Sequence, residues 1–193
     1  MRRVVAYMLM SLDGVAQDPD EFVLDWDDVM DANLGEVIGT QTTVLLGRAM
    51  HDEWSRYWPG PGLDQQPFSD FINTVEKQVA TSSPLSGSWA NAHAIDGDVL
   101  TAVEALRADG ADEGGDIGLH GSLTLTASLL TAGLVDDLRL VVAPRVAGSG
   151  RRLFPDGAPP RSFELVSSTA TPSGSLLVHY RARPDAAEDG SVS

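Results

Sequence analysis

The 193-residue chain has no cysteine, which removes disulfide scaffolds, thiol nucleophiles, iron–sulfur clusters and cysteine-ligated zinc together. Positive charge is scarce. Lys and Arg total 13 against 28 Asp and Glu, a net charge of −15, and Lys77 is the single lysine. A surface this acidic repels phosphate polymers and anionic lipid at long range, so neither nucleic acid nor a membrane is expected as a partner. Aromatic residues reach only 6%. Long apolar runs are also missing. Val4 to Met10, after Arg2 and Arg3, is seven residues long and runs into Ser11-Leu12-Asp13-Gly14 without a small-residue cleavage pattern. That is too short for a signal segment or a membrane span, and a cytoplasmic protein is expected.

What remains is an ordinary globular composition, 42% hydrophobic and 21% charged, which suffices for a sizeable core in one domain. The domain is expected over residues 1–183. Pro184 to Ser193 is acidic and poor in apolar residues, and is expected to be a disordered tail.

Val4 to Met10 reads as a strand buried on both faces, the mark of a parallel sheet covered by helices. Asp25 to Ile38 has apolar residues at helical spacing behind an acidic start, with Gly39 as its stop. Thr42 to Leu46 reads as a second strand that turns through Gly47-Arg48 into a helix. Trp58 to Gln66 is a Pro/Gly loop, Phe68 to Thr74 a helical turn, and Lys77 to Thr81 a short strand ending in Ser82-Ser83-Pro84. Val99 to Ala108 and Gly121 to Thr131 read as helices, with Gly114 to Leu119 as the entry to a strand and Gly133 as a stop. Leu138 to Val142 is a further strand. Phe163 to Ser168 and Ser175 to Arg181 flank Pro172-Ser173-Gly174 as a hairpin. Strands alternating with helices, then a hairpin, predict an α/β domain with a mostly parallel sheet and an antiparallel edge.

Three strand-to-helix or strand-to-turn junctions carry chemistry suited to phosphate: Gly47-Arg48-Ala49-Met50, Thr81-Ser82-Ser83, and His120-Gly121-Ser122-Leu123-Thr124. Glycine lets backbone approach a ligand, a helix start offers free amides, and arginine supplies a planar donor. Ligands of open parallel sheets sit at the carboxyl ends of the strands, where all three segments fall. Taken singly, each junction also reads as an ordinary helix start or turn. Together they point to an extended anion such as a dinucleotide. His51, His93, His120 and His179 show no metal-ligand spacing, and no metal is expected.

These same residues resemble the dihydrofolate reductase-like fold, and within it the C-terminal reductase domain of the bifunctional riboflavin-biosynthesis protein and its stand-alone relatives. The resemblance rests on Ser11-Leu12-Asp13-Gly14, Leu46-Gly47-Arg48-Ala49-Met50, Ala80-Thr81-Ser82-Ser83, and His120-Gly121-Ser122-Leu123. It also rests on Leu129 through Leu140, which includes Ala132-Gly133-Leu134-Val135-Asp136-Asp137, and on Gly148-Ser149-Gly150-Arg151-Arg152-Leu153-Phe154. It implies a single-domain, three-layer fold and NADPH as cofactor, with a small-molecule substrate and a homodimeric assembly. Arg48 would face the 2′-phosphate, Gly47 to Met50 and Gly121 to Thr124 the pyrophosphate, and Thr81, Ser82 and Ser83 the adenosine side. Leu9 and Ala16 would lie beside the nicotinamide. His120 stands where relatives often carry glycine, which puts a side chain at a position where backbone would meet phosphate. The Cys-x-x-Cys and His-x-Glu of the deaminase half are absent, so the two-activity enzyme is excluded.

Hydride transfer in such a fold needs positioning and a group that raises substrate electrophilicity. Asp13 and the first-helix acids Asp25, Asp27 and Asp28 are the carboxylate candidates, with Asp13 and Asp27 foremost; the alternatives are a turn residue and helix-dipole partners. Trp26 and Trp54, with Tyr57 and Trp58, suit stacking on a flat substrate or packing in the core. Arg145, with Arg151 and Arg152, suits a substrate phosphate, local charge balance or a dimer interface. The reading is therefore an NADPH-dependent reductase, and the alternative is a nucleotide-binding or interaction protein that kept the fold without turnover.

Overall fold

Strand β1 (Val4–Met10) sends alternate side chains to two apolar layers. Val4, Ala6 and Met8 join Val103, Leu123, Leu125 and Leu129 on one face, while Val5 and Tyr7 join Met30 and Val37 on the other. A strand buried on both sides has a helix layer above and below it, and that is the architecture of the whole chain. The computed structural model describes residues 1–63, 66–109 and 114–183. The expected tail, residues 184–193, lies outside the described residues.

After β1 come a 3₁₀ turn (Pro19–Glu21), helix α1 (Asp28–Ile38), strand β2 (Gln41–Gly47), and helices α2 (Arg48–Tyr57) and α3 (Pro67–Thr74). Strands β3 (Glu76–Ala80) and β4 (Ala92–Ala94) lead to α4 (Val99–Ala108), β5 (Asp116–His120), α5 (Leu123–Thr131) and β6 (Asp137–Val142). A hairpin of β7 (Phe163–Ala170) and β8 (Leu176–Ala182) ends the described chain. The eight strands lie in the order β4-β3-β2-β5-β1-β6-β8-β7. Strands β4 to β6 in that order are parallel; β8 runs antiparallel to β6, and β7 antiparallel to β8.

The expected α/β domain with an antiparallel hairpin is therefore present, with local differences. The first helix starts at Asp28 rather than Asp25 because Asp27 is its N-cap, accepting from the amides of Val29 and Met30. The helix expected from Gly121 starts at Leu123, because Gly121 has φ +74 and cannot be helical. Phe68 to Thr74 is a full eight-residue helix entered through Pro67. Strand β4 falls in a stretch expected to be loop; it is three residues long and pairs only with β3.

Lys77 is fully buried on β3, where its ammonium donates to the Ile72 and Val75 carbonyls at 2.8 and 2.7 Å, at the end of α3, and lies 4.7 Å from the Trp89 ring centre. Burial lowers its pKa to about 8, against a smaller rise from Glu76. The single lysine thus closes a helix end inside the core.

Candidate functional site

The order β3-β2-β5 makes neighbours of the three strands whose carboxyl ends carry the phosphate-suited segments. The Gly47 amide donates to Ser122 Oγ at 2.8 Å, which ties the start of α2 to the start of α5. Arg48 reaches across to the third segment, its Nη1 donating to Ser83 Oγ and the Pro84 carbonyl at 2.8 Å and lying 3.3 Å from Thr81 Oγ1 and the Ser83 carbonyl. All three junctions are thus brought together.

Neither α2 nor α5 has a side-chain N-cap bond. Their first-turn amides have no partner within the helix, so two positive helix ends meet at one place. A side chain at Gly121 would bring a Cβ to 2.6 Å from Met50 Cε, besides the strain of its φ. A Cβ at Gly47 would reach only ordinary contact with Ser122, so of the two glycines it is Gly121 that the fold requires at this junction. Ala49 and Thr124 are exposed beside it, Leu123 is buried behind it, and Ser82 is exposed at the tip of the Thr81 turn. Arg151 Nη1 lies 3.3 Å from Thr124 Oγ1 and adds a second arginine at the same edge. The donor set fits a dinucleotide: two helix starts for a diphosphate, and a separate arginine with hydroxyls for a phosphate monoester.

His120 does not intrude on this crevice. Its ring is buried on the opposite side of the strand, with Nε2 2.8 Å from Gln41 Oε1 and edge contacts to Phe68 and Phe71. Gly118, two residues earlier on the same face, leaves the space that the Gln41 side chain fills. Burial lowers the His120 pKa to about 4, so the ring is neutral. The His120 side chain, expected at the phosphate, is core, whereas the Ser122 hydroxyl lies at the junction and accepts from the Gly47 amide.

Leu9 and Ala16 flank the end of β1 in different clusters. Leu9 packs on the α1 side with Tyr7, and Ala16 on the α5 side with Met8 and Leu123. The segment bearing Ala16 is held by the Gly148–Phe154 loop: Ala16 N donates to the Arg151 carbonyl at 2.9 Å, and Leu153 N to the Gly14 carbonyl at 3.0 Å.

Both leading carboxylate candidates, Asp13 and Asp27, are engaged in hydrogen bonds. Asp13 accepts from Ser11 Oγ at 2.6 Å and from the amides of Ala147 and Gly148 at 3.0 and 2.9 Å. Those bonds, the Ser11 hydroxyl first, lower its pKa to about 2. Asp27 caps α1 and accepts from Ser173 N at 2.9 Å in the β7–β8 turn. Desolvation opposes its ionisation, but the Ser173 and Met30 bonds outweigh it and the pKa falls to about 2. An ionised carboxylate held by amides braces the segments that carry those amides, and in that state it has no proton to give. Asp25 lies 3.7 Å from Arg145 in an exposed pair.

A carboxylate that the sequence reading passed over is Asp31, one turn into α1, whose Oδ1 accepts from Trp26 Nε1 at 2.6 Å. Tyr7 sits below it on β1 with a buried hydroxyl that has no partner among the described residues. Burial, and next the Asp31 charge, raise the Tyr7 pKa, so the phenol stays protonated. The signal was available in the alternation of β1, which puts Tyr7 and Leu9 on the α1 face. Trp26 therefore belongs to this side. Trp54 belongs to a separate aromatic group, with edge contacts to Trp58 and Phe68.

Comparison with known proteins bears on the family and the fold. The family model described as the RibD C-terminal domain matches residues 2–177. The uncharacterized protein YyaP of Bacillus subtilis (strain 168) is 27% identical over 186 residues, 93% of this chain and 94% of that protein. A solved pyrimidine reductase-like protein of Corynebacterium diphtheriae superposes with TM-score 0.63 at 16% identity, covering 95% of this chain and 93% of that one. The diaminohydroxyphosphoribosylaminopyrimidine deaminase/5-amino-6-(5-phosphoribosylamino)uracil reductase of Thermotoga maritima superposes with TM-score 0.64 at 15% identity. That alignment covers 94% of this chain and 57% of the Thermotoga chain. The fold is thus the dihydrofolate reductase-like one shared by these reductases, and with a family model matching almost its whole length, the chain belongs to the RibD C-terminal domain family.

Proposed function

We propose that the protein is an NADPH-dependent reductase that delivers hydride to a small heterocyclic, carbonyl or imine compound. Family membership supports a reductase-like activity in general. The observation that carries the finer reading is the Arg48 guanidinium, braced by Ser83 and Pro84 beside two uncapped helix starts. When bound, the cofactor supplies the hydride. The protein's part is to bind and orient. Arg48, Thr81, Ser82 and Ser83 take the 2′-phosphate, while the first turns of α2 and α5, with Gly47 and residues 120–122, take the diphosphate. Leu9 and Ala16 bracket the ring at the end of β1. The substrate then lies on the α1 side, against Trp26, with Asp31, the protonated Tyr7 hydroxyl and Arg145 as its polar neighbours.

In a thermal-shift titration, NADPH is expected to raise the melting temperature more than NADH. Arg48→Ala should remove most of that difference, an affinity loss of about tenfold or more for one charge-assisted contact. Equal shifts with both cofactors in the unmodified protein would sink the assignment. NADPH consumption with any member of a panel of pyrimidinediones, pterins and small carbonyl compounds then establishes turnover.

A nucleotide-binding protein without turnover is the second reading, favoured by the saturation of Asp13 and Asp27. It predicts stabilisation by NADPH with no consumption across that panel.

A further inference from the structure

The Arg48 guanidinium is shared out in an orderly way. Nε donates to Asp52 Oδ2 at 2.7 Å, one helical turn on, and Nη1 is taken by Ser83 and Pro84. Nη2 has no hydrogen-bond partner among the described residues. Asp52 is itself held from two further sides. Its Oδ1 accepts from Ser86 Oγ at 2.9 Å and lies 3.1 Å from His51 Nδ1. An ionised carboxylate only accepts, so Nδ1 carries the hydrogen. His51 is 1% exposed and its ring lies against Trp89, which makes it a rigid support. Arg48, then His51 and Ser86, hold the Asp52 carboxyl well below the usual range, so it is charged at any working pH.

An i,i+4 ion pair near the surface adds little to stability, and this one is partly buried, with side chains 30% and 26% exposed. Three partners converging on one such carboxylate are better explained by the geometry they impose. We propose that Asp52 is a positioning residue for the 2′-phosphate of an adenine dinucleotide: by holding Nε, it sets the guanidinium so that Nη2 is the donor left for the phosphate monoester. The proposal rests on the cofactor reading above and adds a residue to it. Two effects of Asp52 oppose each other. Its charge repels the phosphate, and its grip removes the rotamer freedom that Arg48 would otherwise lose on binding. Water reaches this partly exposed site and screens the repulsion, which the Arg48 charge also offsets, whereas the grip acts through a direct bond, so the grip dominates.

The test is a calorimetric titration of NADPH and of NADH into the unmodified protein, Asp52→Ala, Arg48→Ala and the double variant. Asp52→Ala is expected to weaken NADPH about five- to tenfold and leave NADH unchanged. In the Arg48→Ala background it should change neither. Asp52→Asn, which keeps an oxygen for Nε without the charge, should retain most of the preference. Unchanged or tighter NADPH binding in Asp52→Ala would overturn the proposal, and so would equal weakening of both cofactors, which is the mark of a merely structural strut. If Asp52→Ala does not fold, the same cycle is run with Asp52→Leu, which likewise leaves Nε without its acceptor. Coupling to Arg48 seen with NADPH alone is then the expected result, and no coupling overturns the proposal. An unmodified protein that does not distinguish the two cofactors refutes the cofactor reading itself, an outcome separate from these.

Discussion

At the scale of single residues, the sequence shows which side chains have suitable chemistry but not how many of their bonds are already committed. Asp13 and Asp27 have the right type and place for proton transfer, yet amides of Ala147, Gly148, Ser173 and Met30 occupy them. Met30 is a local capping partner of Asp27, but Ala147, Gly148 and Ser173 lie 134 to 146 residues away in sequence from the carboxylates they bind and leave no local trace. Asp52 is a different case: its spacing from Arg48 is the ordinary i,i+4 of a helical ion pair, a local pattern that marked it no more than any other helical acid. The structural role of Asp13 and Asp27 has a pH signature. Both have a folded pKa of about 2, below the unfolded value of about 3.9. Their stabilisation is therefore complete above about pH 4 and lost as pH falls through about 2. In Asp13→Asn/Asp27→Asn the acid limb of the stability curve should be flatter over that window and the melting temperature lower at neutral pH. Turnover per folded molecule should be preserved. An abolished turnover in a folded Asp27→Asn would return that residue to the chemistry.

At the scale of elements, legibility followed length and periodicity. Strand β1 and helix α4 have the bounds the pattern gives, because continuous apolar runs and capped periodic segments are strong signals. Strand β4 was invisible, since three residues carry no period and its pairing with β3 is decided by the sheet edge. Which faces of the elements meet was also beyond the pattern, as His120 shows: its strand was expected, but the turn of its ring toward Gln41 depends on Gly118 leaving room. The joint between α2 and α5 gives the prediction at this scale. Ser122 is 7% exposed, and its hydroxyl is the acceptor that satisfies the Gly47 amide. Ser122→Ala should cost about 1 to 3 kcal/mol in chemical denaturation, the penalty of a buried donor left unmet. Because the two helix starts then lose their common anchor, NADPH and NADH should weaken together. A loss confined to NADPH would place Ser122 at the 2′-phosphate instead.

At the scale of the whole molecule, the net charge of −15 and the few arginines act over different distances, and ionic strength separates them. NADPH carries about 1.5 to 2 more negative charges than NADH in its phosphate monoester. The dispersed acids repel that extra charge through solvent over a Debye length of about 30 Å at 0.01 M salt, which shrinks to about 8 Å at 0.15 M. Arg48, braced by Ser83 and Pro84, attracts it at contact distance, where salt screens far less. Raising salt over that range should therefore remove more repulsion than attraction. The preference for NADPH over NADH should hold or increase, and the melting temperature of the free protein should rise as self-repulsion is relieved. Calorimetric titrations of both cofactors at the two salt concentrations check the first, and scanning calorimetry checks the second. A steep salt-induced loss of NADPH affinity relative to NADH would mean that long-range attraction from the arginines outweighs the acids at the site. The local field there would then be positive well beyond Arg48, and the Arg145 to Arg152 group would be its source.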